Sequence, residues 1–335
     1  AQINASDEIL KRSKLSALMA RLSATHRMAV FAERVLLVEG PSDEIIASQL
    51  ASRLNQRLLA RNVQILPVTG KGEFPEVAKL FRLIGKHVAV LADLDALADD
   101  NALVRDFSDL PEASSVAESI GRTSLTDLDK DLRADLSKFI KNHETAVAAA
   151  ANTYDDWSSS ESKSLSVRRV TLARLLTGPD SFETSAVADA SSLQNRFHVL
   201  LKALSRLGCF FLRHGAIENY YCDGVSDKNK PDRAAAVAAK FGSSEQSDLE
   251  RNYADVVEAL TLVAPNHRVD EDLLLRPKLG AALSAAFLSM TATSTDEQLN
   301  AIARTTIGSH AGVFNLKNCS DKKTLRIKVD IASPL

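Results

Sequence analysis

Strand and helix signals alternate at the start of this chain, and that alternation restricts the fold more than any other feature. Residues 34–38 (Arg-Val-Leu-Leu-Val) form a short, β-rich apolar run that reads as a buried parallel strand. Residues 39–43 (Glu-Gly-Pro-Ser-Asp) break it. Residues 44–59 carry Ile45, Ile46, Leu50, Leu54 and Leu58 at helical spacing. A second strand is expected over 63–68, a Gly-Lys-Gly turn at 70–72, a second helix over 74–84, and a third strand over 88–92 that ends at Asp93-Leu94-Asp95. Parallel neighbours need a crossover connection of about a dozen residues or more, and a helix is the usual one. The spacing therefore predicts an α/β fold, a parallel sheet flanked by helices.

The rhythm then changes. Residues 99–207 carry almost no strand signal, and 125–151 are Ala- and Leu-rich with helical periodicity. A Ser-rich loop is expected at 158–166, and further helices at 171–176 and 191–207. Cys209-Phe-Phe-Leu212 looks like the sheet returning, with another helix start near Ile217. The expected organisation is an α/β domain made of 33–99 and 208–240, split by a helical insertion at 100–207. An N-terminal helix occupies 1–32 in this reading, and 241–335 form a mainly helical C-terminal region ending in a strand. Within that region, helical signal over 232–305 is split at Pro265 and Pro277, and residues 325–331 alternate as a half-exposed strand does.

Composition excludes several classes. With 41 basic against 43 acidic side chains, 45% hydrophobic and 25% charged residues, the chain is neither disordered, fibrous nor a membrane bundle. The near-neutral balance excludes a uniformly basic nucleic-acid coat but leaves room for a local basic groove. Cys209, Cys222 and Cys319 form no CxxC pair, which speaks for reduced thiols in a cytoplasmic protein and against a zinc site. No apolar run reaches the roughly 18 residues of a membrane span, so no membrane partner is expected, and no secretory signal pattern opens the chain. The absence of an initial Met suggests a piece cut from a longer protein.

The chemistry gathers at the strand ends, where open α/β sheets collect their ligands. Glu39 ends the first strand, and Asp43 follows on the next helix's first turn. Asp93 and Asp95 end the third strand, and Glu218 follows the fourth. Converging carboxylates repel one another and are costly to desolvate. A hard divalent cation such as Mg²⁺ or Mn²⁺ relieves both costs. Single acids of this kind are also common as solvated loop residues and helix caps, and Asp43 alone is equally explained by the helix dipole. Gly70-Lys71-Gly72 is either a loop whose backbone N–H groups approach a phosphate or a turn that merely needs glycines.

Val-Glu39-Gly40-Pro-Ser-Asp43 on one strand, with Ala-Asp93-Leu-Asp95 on another, resembles the Toprim domain shared by topoisomerases, primases and the OLD (overcoming lysogenization defect) nucleases. Val68-Thr-Gly70-Lys71-Gly72-Glu-Phe74, Leu212-Arg-His-Gly215-Ala-Ile-Glu218 and Lys230-Pro231 are similar to the OLD version. The resemblance implies a Toprim-like sheet with a helical insertion. It also implies a metal-dependent DNA endonuclease, with Glu39, Asp43, Asp93, Asp95 and Glu218 as ligands of two Mg²⁺ or Mn²⁺ ions. Glu39 would also help to deprotonate water, and Asp93 would bridge the ions. A lysine after the fourth strand, Lys230 or Lys228, would stabilise charge on the phosphate. Gly70, Lys71 and Gly72 would touch phosphate.

OLD proteins also carry an ABC-type ATPase, and no G-x-x-x-x-G-K-[ST] loop occurs here. The resemblance therefore implies the C-terminal Toprim catalytic region of such a protein, without its ATPase, and a role in phage defence or DNA repair. A homodimer is a further possibility. Two alternatives remain: a Toprim enzyme acting on RNA, and a non-catalytic Toprim scaffold that holds DNA. Local basic stretches (Lys11 to Lys14, Arg168-Arg169, Lys228 to Arg233, Lys322 to Lys328) are the candidate nucleic-acid contacts.

Overall fold

The computed structural model describes residues 29–68, 70–152, 166–221, 229–264, 271–291, 293–307, 314–319 and 324–329. The chain divides into two compact units, Ala1–Pro265 and Asn266–Leu335. In the first unit four parallel strands form one sheet: β1 (Arg34–Val38), β2 (Val63–Pro67), β3 (His87–Ala92) and β4 (Cys209–Phe211), in the order β2-β1-β3-β4. Val38 stands opposite Pro67 on one side and Leu91 on the other, and Ala92 opposite Phe211, so β1 and β3 end level with each other.

Side chains alternate across a strand. Val35, Leu37, Val90, Ala92, Cys209 and Phe211 therefore face one core, and Leu36, Val38, Ala89, Leu91, Phe210 and Leu212 the other. Helix α1 (Pro41–Arg53) packs on the second face and α2 (Phe74–Leu83) on the first. Burial on both faces explains why these strands read as unbroken apolar runs. The α/β expectation holds, a parallel sheet flanked by helices.

Between β3 and β4 the chain makes α3 (Asp95–Ala98), α4 (Ala102–Ser108), α5 (Ala113–Ser119), α6 (Leu125–Asn142), α7 (Glu144–Ala151), α8 (Val167–Thr177) and α9 (Thr184–Arg206). They continue the core that α2 begins. The Ser124 hydroxyl caps α6 by accepting from the Thr126 and Asp127 N–H groups at 3.1 and 3.3 Å. Leu125, Leu128, Leu132, Leu136 and Phe139 form its buried stripe. The helix expected over 125–151 is two helices that part at His143, whose ψ of 40° leaves the helical region. Most of the helix expected over 1–32 lies outside the described residues, although Ala29 and Ala32 are buried in the first core.

After β4 come α10 (Lys230–Ala239), α11 (Gln246–Asn252) and α12 (Ala254–Val263), which cover the second face. The buried Asp255 carboxylate fastens α12 to the segment that leaves β4. It accepts the Arg213 N–H at 2.9 Å, the Arg213 guanidinium and the Tyr220 hydroxyl. Asp255→Ala would remove the acceptor that these three donors share, so unfolding in urea should show a loss of about 3–5 kcal/mol. Asp255→Asn, which keeps an acceptor, should lose less; an unchanged midpoint for the alanine variant would refute this account.

The second unit contains α13 (Glu271–Ser289), α14 (Asp296–Ile307) and an antiparallel hairpin of β5 (Phe314–Cys319) and β6 (Thr324–Val329). The break expected at Pro277 does not occur, because α13 runs through it. The expected strand over 325–331 has a partner, β5, that carries no clean alternation in the sequence. Its Leu316 is held by Asn300 of α14, which accepts the Leu316 N–H at 2.8 Å and donates to its carbonyl at 2.9 Å. The C-terminal region is mostly helical, as expected. Among the described residues, no helix is long and apolar enough to cross a membrane.

Candidate metal centre

The order β2-β1-β3-β4 reverses direction between β1 and β3. At such a switch point the connections leave on opposite faces, and a crevice opens beyond the carboxyl ends of the two strands. Glu39 follows β1 there, and Asp93 follows β3. Pro41 starts α1 at its first position, where its fixed φ and missing N–H cost nothing. The Gly40 N–H donates to Asp43 Oδ2 at 2.9 Å, which turns Asp43 back towards the strand end. Asp95 opens α3. Glu218 lies on a short 3₁₀ turn, Ile217–Tyr220, after β4. The Leu94 N–H donates to the Gly215 carbonyl at 2.8 Å and ties the two loops together. Gly215 has φ +114°, and a Cβ there would lie 3.1 Å from Asn219 Oδ1, so only glycine suits this crossing.

Glu39, Asp93 and Asp95 each offer an oxygen within 4.8 Å of the others. Asp43 and Glu218 stand beside this triad rather than in it. Burial pushes the Asp43 carboxyl up to about 7 against the Gly40 N–H, and the Glu218 and Glu39 charges push the same way. Burial also raises Glu39, with help from Asp95, while Lys71, Arg169 and the Asp93 N–H oppose it. Asp93 is raised well above the usual carboxylate range, first by burial and then by Asp43 and Glu39. Five acids thus repel one another in a confined, half-dry space.

Three cations partly offset that repulsion. Lys71 Nζ lies 2.8 Å from Asp95 Oδ2, delivered by a turn in which Gly70 adopts φ +100°. In this structure Lys71 therefore faces an acid, and the Gly70 carbonyl accepts the Glu73 N–H at 3.1 Å. Gly72 belongs to the same 3₁₀ turn, Lys71–Glu73. Lys230 Nζ lies 3.2 Å from Glu218 Oε1 at an exposed position. Lys228 lies outside the described residues. Arg169, at the start of α8, places Nη2 3.6 Å from Asp93 Oδ2. The sequence marks Arg168-Arg169 as a candidate nucleic-acid contact, but nothing local links the pair to Asp93. Arg168 donates instead to Ser137 Oγ at 2.6 Å.

The donor set fits a hard divalent cation. Buried Glu39 Oε2 and Asp95 Oδ1 have no hydrogen-bond partner among the described residues. A carboxylate oxygen can only accept, and a buried acceptor without a donor is costly. An ion that takes oxygen ligands satisfies both atoms at once.

Residues 30–95 match the Toprim domain of overcoming lysogenization defect protein-like proteins. That segment spans β1 to the start of α3 and contains Glu39, Asp43, Asp93 and Asp95. The expected C-terminal Toprim region is corrected by this placement: the OLD-like Toprim domain is present near the N-terminal end of this chain, with most of the residues following it. No curated protein matches the chain.

Proposed function

We propose that this chain is a metal-dependent DNA endonuclease that hydrolyses phosphodiesters with two Mg²⁺ or Mn²⁺ ions. The observation that carries this reading is the Glu39, Asp93 and Asp95 triad at the β1/β3 switch point, with two buried oxygens that have no donor among the described residues. The OLD-like Toprim match over the same strands supports it. In this reading Glu39, Asp43, Asp93, Asp95 and Glu218 would hold the two ions, with the Glu39, Asp93 and Asp95 triad at their centre. Bound divalent cations supply Lewis-acid stabilisation of the phosphoryl oxygens and acidify an attacking water.

The chain's own residues divide the remaining work. Glu39, which follows β1 and belongs to the triad, helps to take the proton from the attacking water. Lys230 is exposed and held only by Glu218 among the described residues, so it can turn to the charge that develops on the phosphate. Lys228 has the same role as an alternative. Gly70, Lys71 and Gly72 form the phosphate-contacting loop once Lys71 leaves Asp95. The catalytic domain in this proposal is 33–99 with 208–240, and 100–207 is its insertion. DNA, an ABC-type ATPase and a second copy of the chain are the proposed partners, the ATPase on the resemblance alone.

Purified protein with Mn²⁺ or Mg²⁺ is expected to nick supercoiled plasmid, and EDTA is expected to stop it. A labelled RNA of the same sequence should be cut more slowly. Faster RNA cleavage would overturn the DNA assignment, and no cleavage of either would overturn the nuclease reading.

A further inference from the structure

The insertion between β3 and β4 delivers the Arg169 side chain to the acidic centre. Ser166 begins α8 and fixes its position, since its hydroxyl donates to Asp99 Oδ1 at 2.6 Å and accepts the Arg169 N–H at 3.1 Å. Arg169 is thereby held over Gly215, where a Cβ would come within 3.8 Å of its Nε. Its side chain is 14% exposed, and its one ion pair among the described residues is with Asp93, at 3.6 Å. That separation exceeds a hydrogen bond. Lys71, by contrast, is already engaged at 2.8 Å. A guanidinium carries five donors in a planar fork that matches a phosphate in two parallel bonds. Here the fork is nearly buried and stands against Asp93 and Glu39, with no hydrogen bond to either acid among the described residues.

We propose that Arg169 is the counter-cation of Asp93 when the centre holds no metal, and the ligand of the substrate phosphate once metal has taken the carboxylates. The helical insertion then completes the active site. The assignment rests on the phosphodiesterase reading. It makes a prediction of opposite signs that a structural role does not. Removing the positive charge frees Asp93 for a cation, so metal should bind more tightly. The same change removes a phosphate contact, so DNA should bind more weakly.

The test compares the wild type, Arg169→Gln and Arg169→Lys at pH 8. Calorimetric titration with Mn²⁺ should give roughly five- to tenfold tighter binding to Arg169→Gln. Binding of a short DNA duplex in Ca²⁺ should weaken, with the slope of log affinity against log salt falling by about one. Arg169→Lys keeps the charge without the fork, so it should bind Mn²⁺ as the wild type does and still lose DNA affinity. This variant keeps the test decisive if Arg169→Gln does not fold. Unchanged or weaker Mn²⁺ binding by Arg169→Gln, or unchanged DNA binding by both variants, would overturn the inference while wild-type cleavage leaves the nuclease reading standing. A wild type that neither binds nor cuts DNA would overturn that reading, and the phosphate role with it.

Discussion

Asp93→Asn is expected to abolish Mn²⁺ binding and plasmid cleavage and, at the same time, to raise the thermal midpoint of the metal-free protein. Both effects follow from one fact. Burial most of all, then Asp43, Glu39 and Asp95, raise the affinity of Asp93 for protons, and together they outweigh Arg169, which opposes them. Loss of its charge removes a ligand from the triad, and cleavage should fall on the order of 10²–10³-fold or more. The same loss relieves repulsion that metal-free wild type must carry. The amide is nearly isosteric, so packing is preserved. Thermal melting in EDTA at pH 8 checks one half, and calorimetry with a plasmid assay checks the other. A variant that is inactive and less stable would indicate a packing defect, and one that cleaves as well as wild type would remove Asp93 from the site.

The second large effect is a reversal of the usual pH dependence. Asp43 titrates near 3.8 when unfolded and near 7 when folded, so the folded chain binds more protons between those values. Stability from this group is therefore fully present below about pH 4 and is lost as pH rises through 7. Each unit of separation is worth about 1.4 kcal/mol, which makes Asp43 alone a matter of several kcal/mol. Glu39 and Asp93 shift in the same direction. In EDTA the midpoint should rise as pH is lowered from 8 towards 5. Added Mn²⁺ should raise it most at pH 8, where the carboxylates are ionised and metal replaces protons. Asp43→Asn isolates the contribution of this group, since its metal-free stability should be higher at pH 8 and change less with pH. Equal pH slopes for the variant and the wild type would contradict the account.

The strands were legible because burial on both faces leaves residues 35–38 and 88–92 with uninterrupted apolar sequence. The acids at their ends were legible because a parallel sheet places its ligands there. Strand β5 was not, since Phe314–Cys319 alternates poorly and takes its place from pairing with Thr324–Val329. Pro277 was misleading for a similar reason: a proline lowers helical preference locally, but the rest of a 19-residue helix outweighs it.

What the sequence determined by itself is the alternation of strand and helix and the identity of the acids, because both are written in local spacing. Which of those acids meet was decided only by the tertiary structure. Glu39, Asp93 and Asp95 form the triad, while Asp43 is turned towards the Gly40 N–H and Glu218 is paired with Lys230. For Arg169 the sequence offered only a basic pair, with nothing to link it to Asp93. Its position depends on the whole insertion folding onto the sheet and on Ser166 anchoring α8 to Asp99. Local pattern records what each residue prefers, whereas a site is made by distances between segments far apart in the chain.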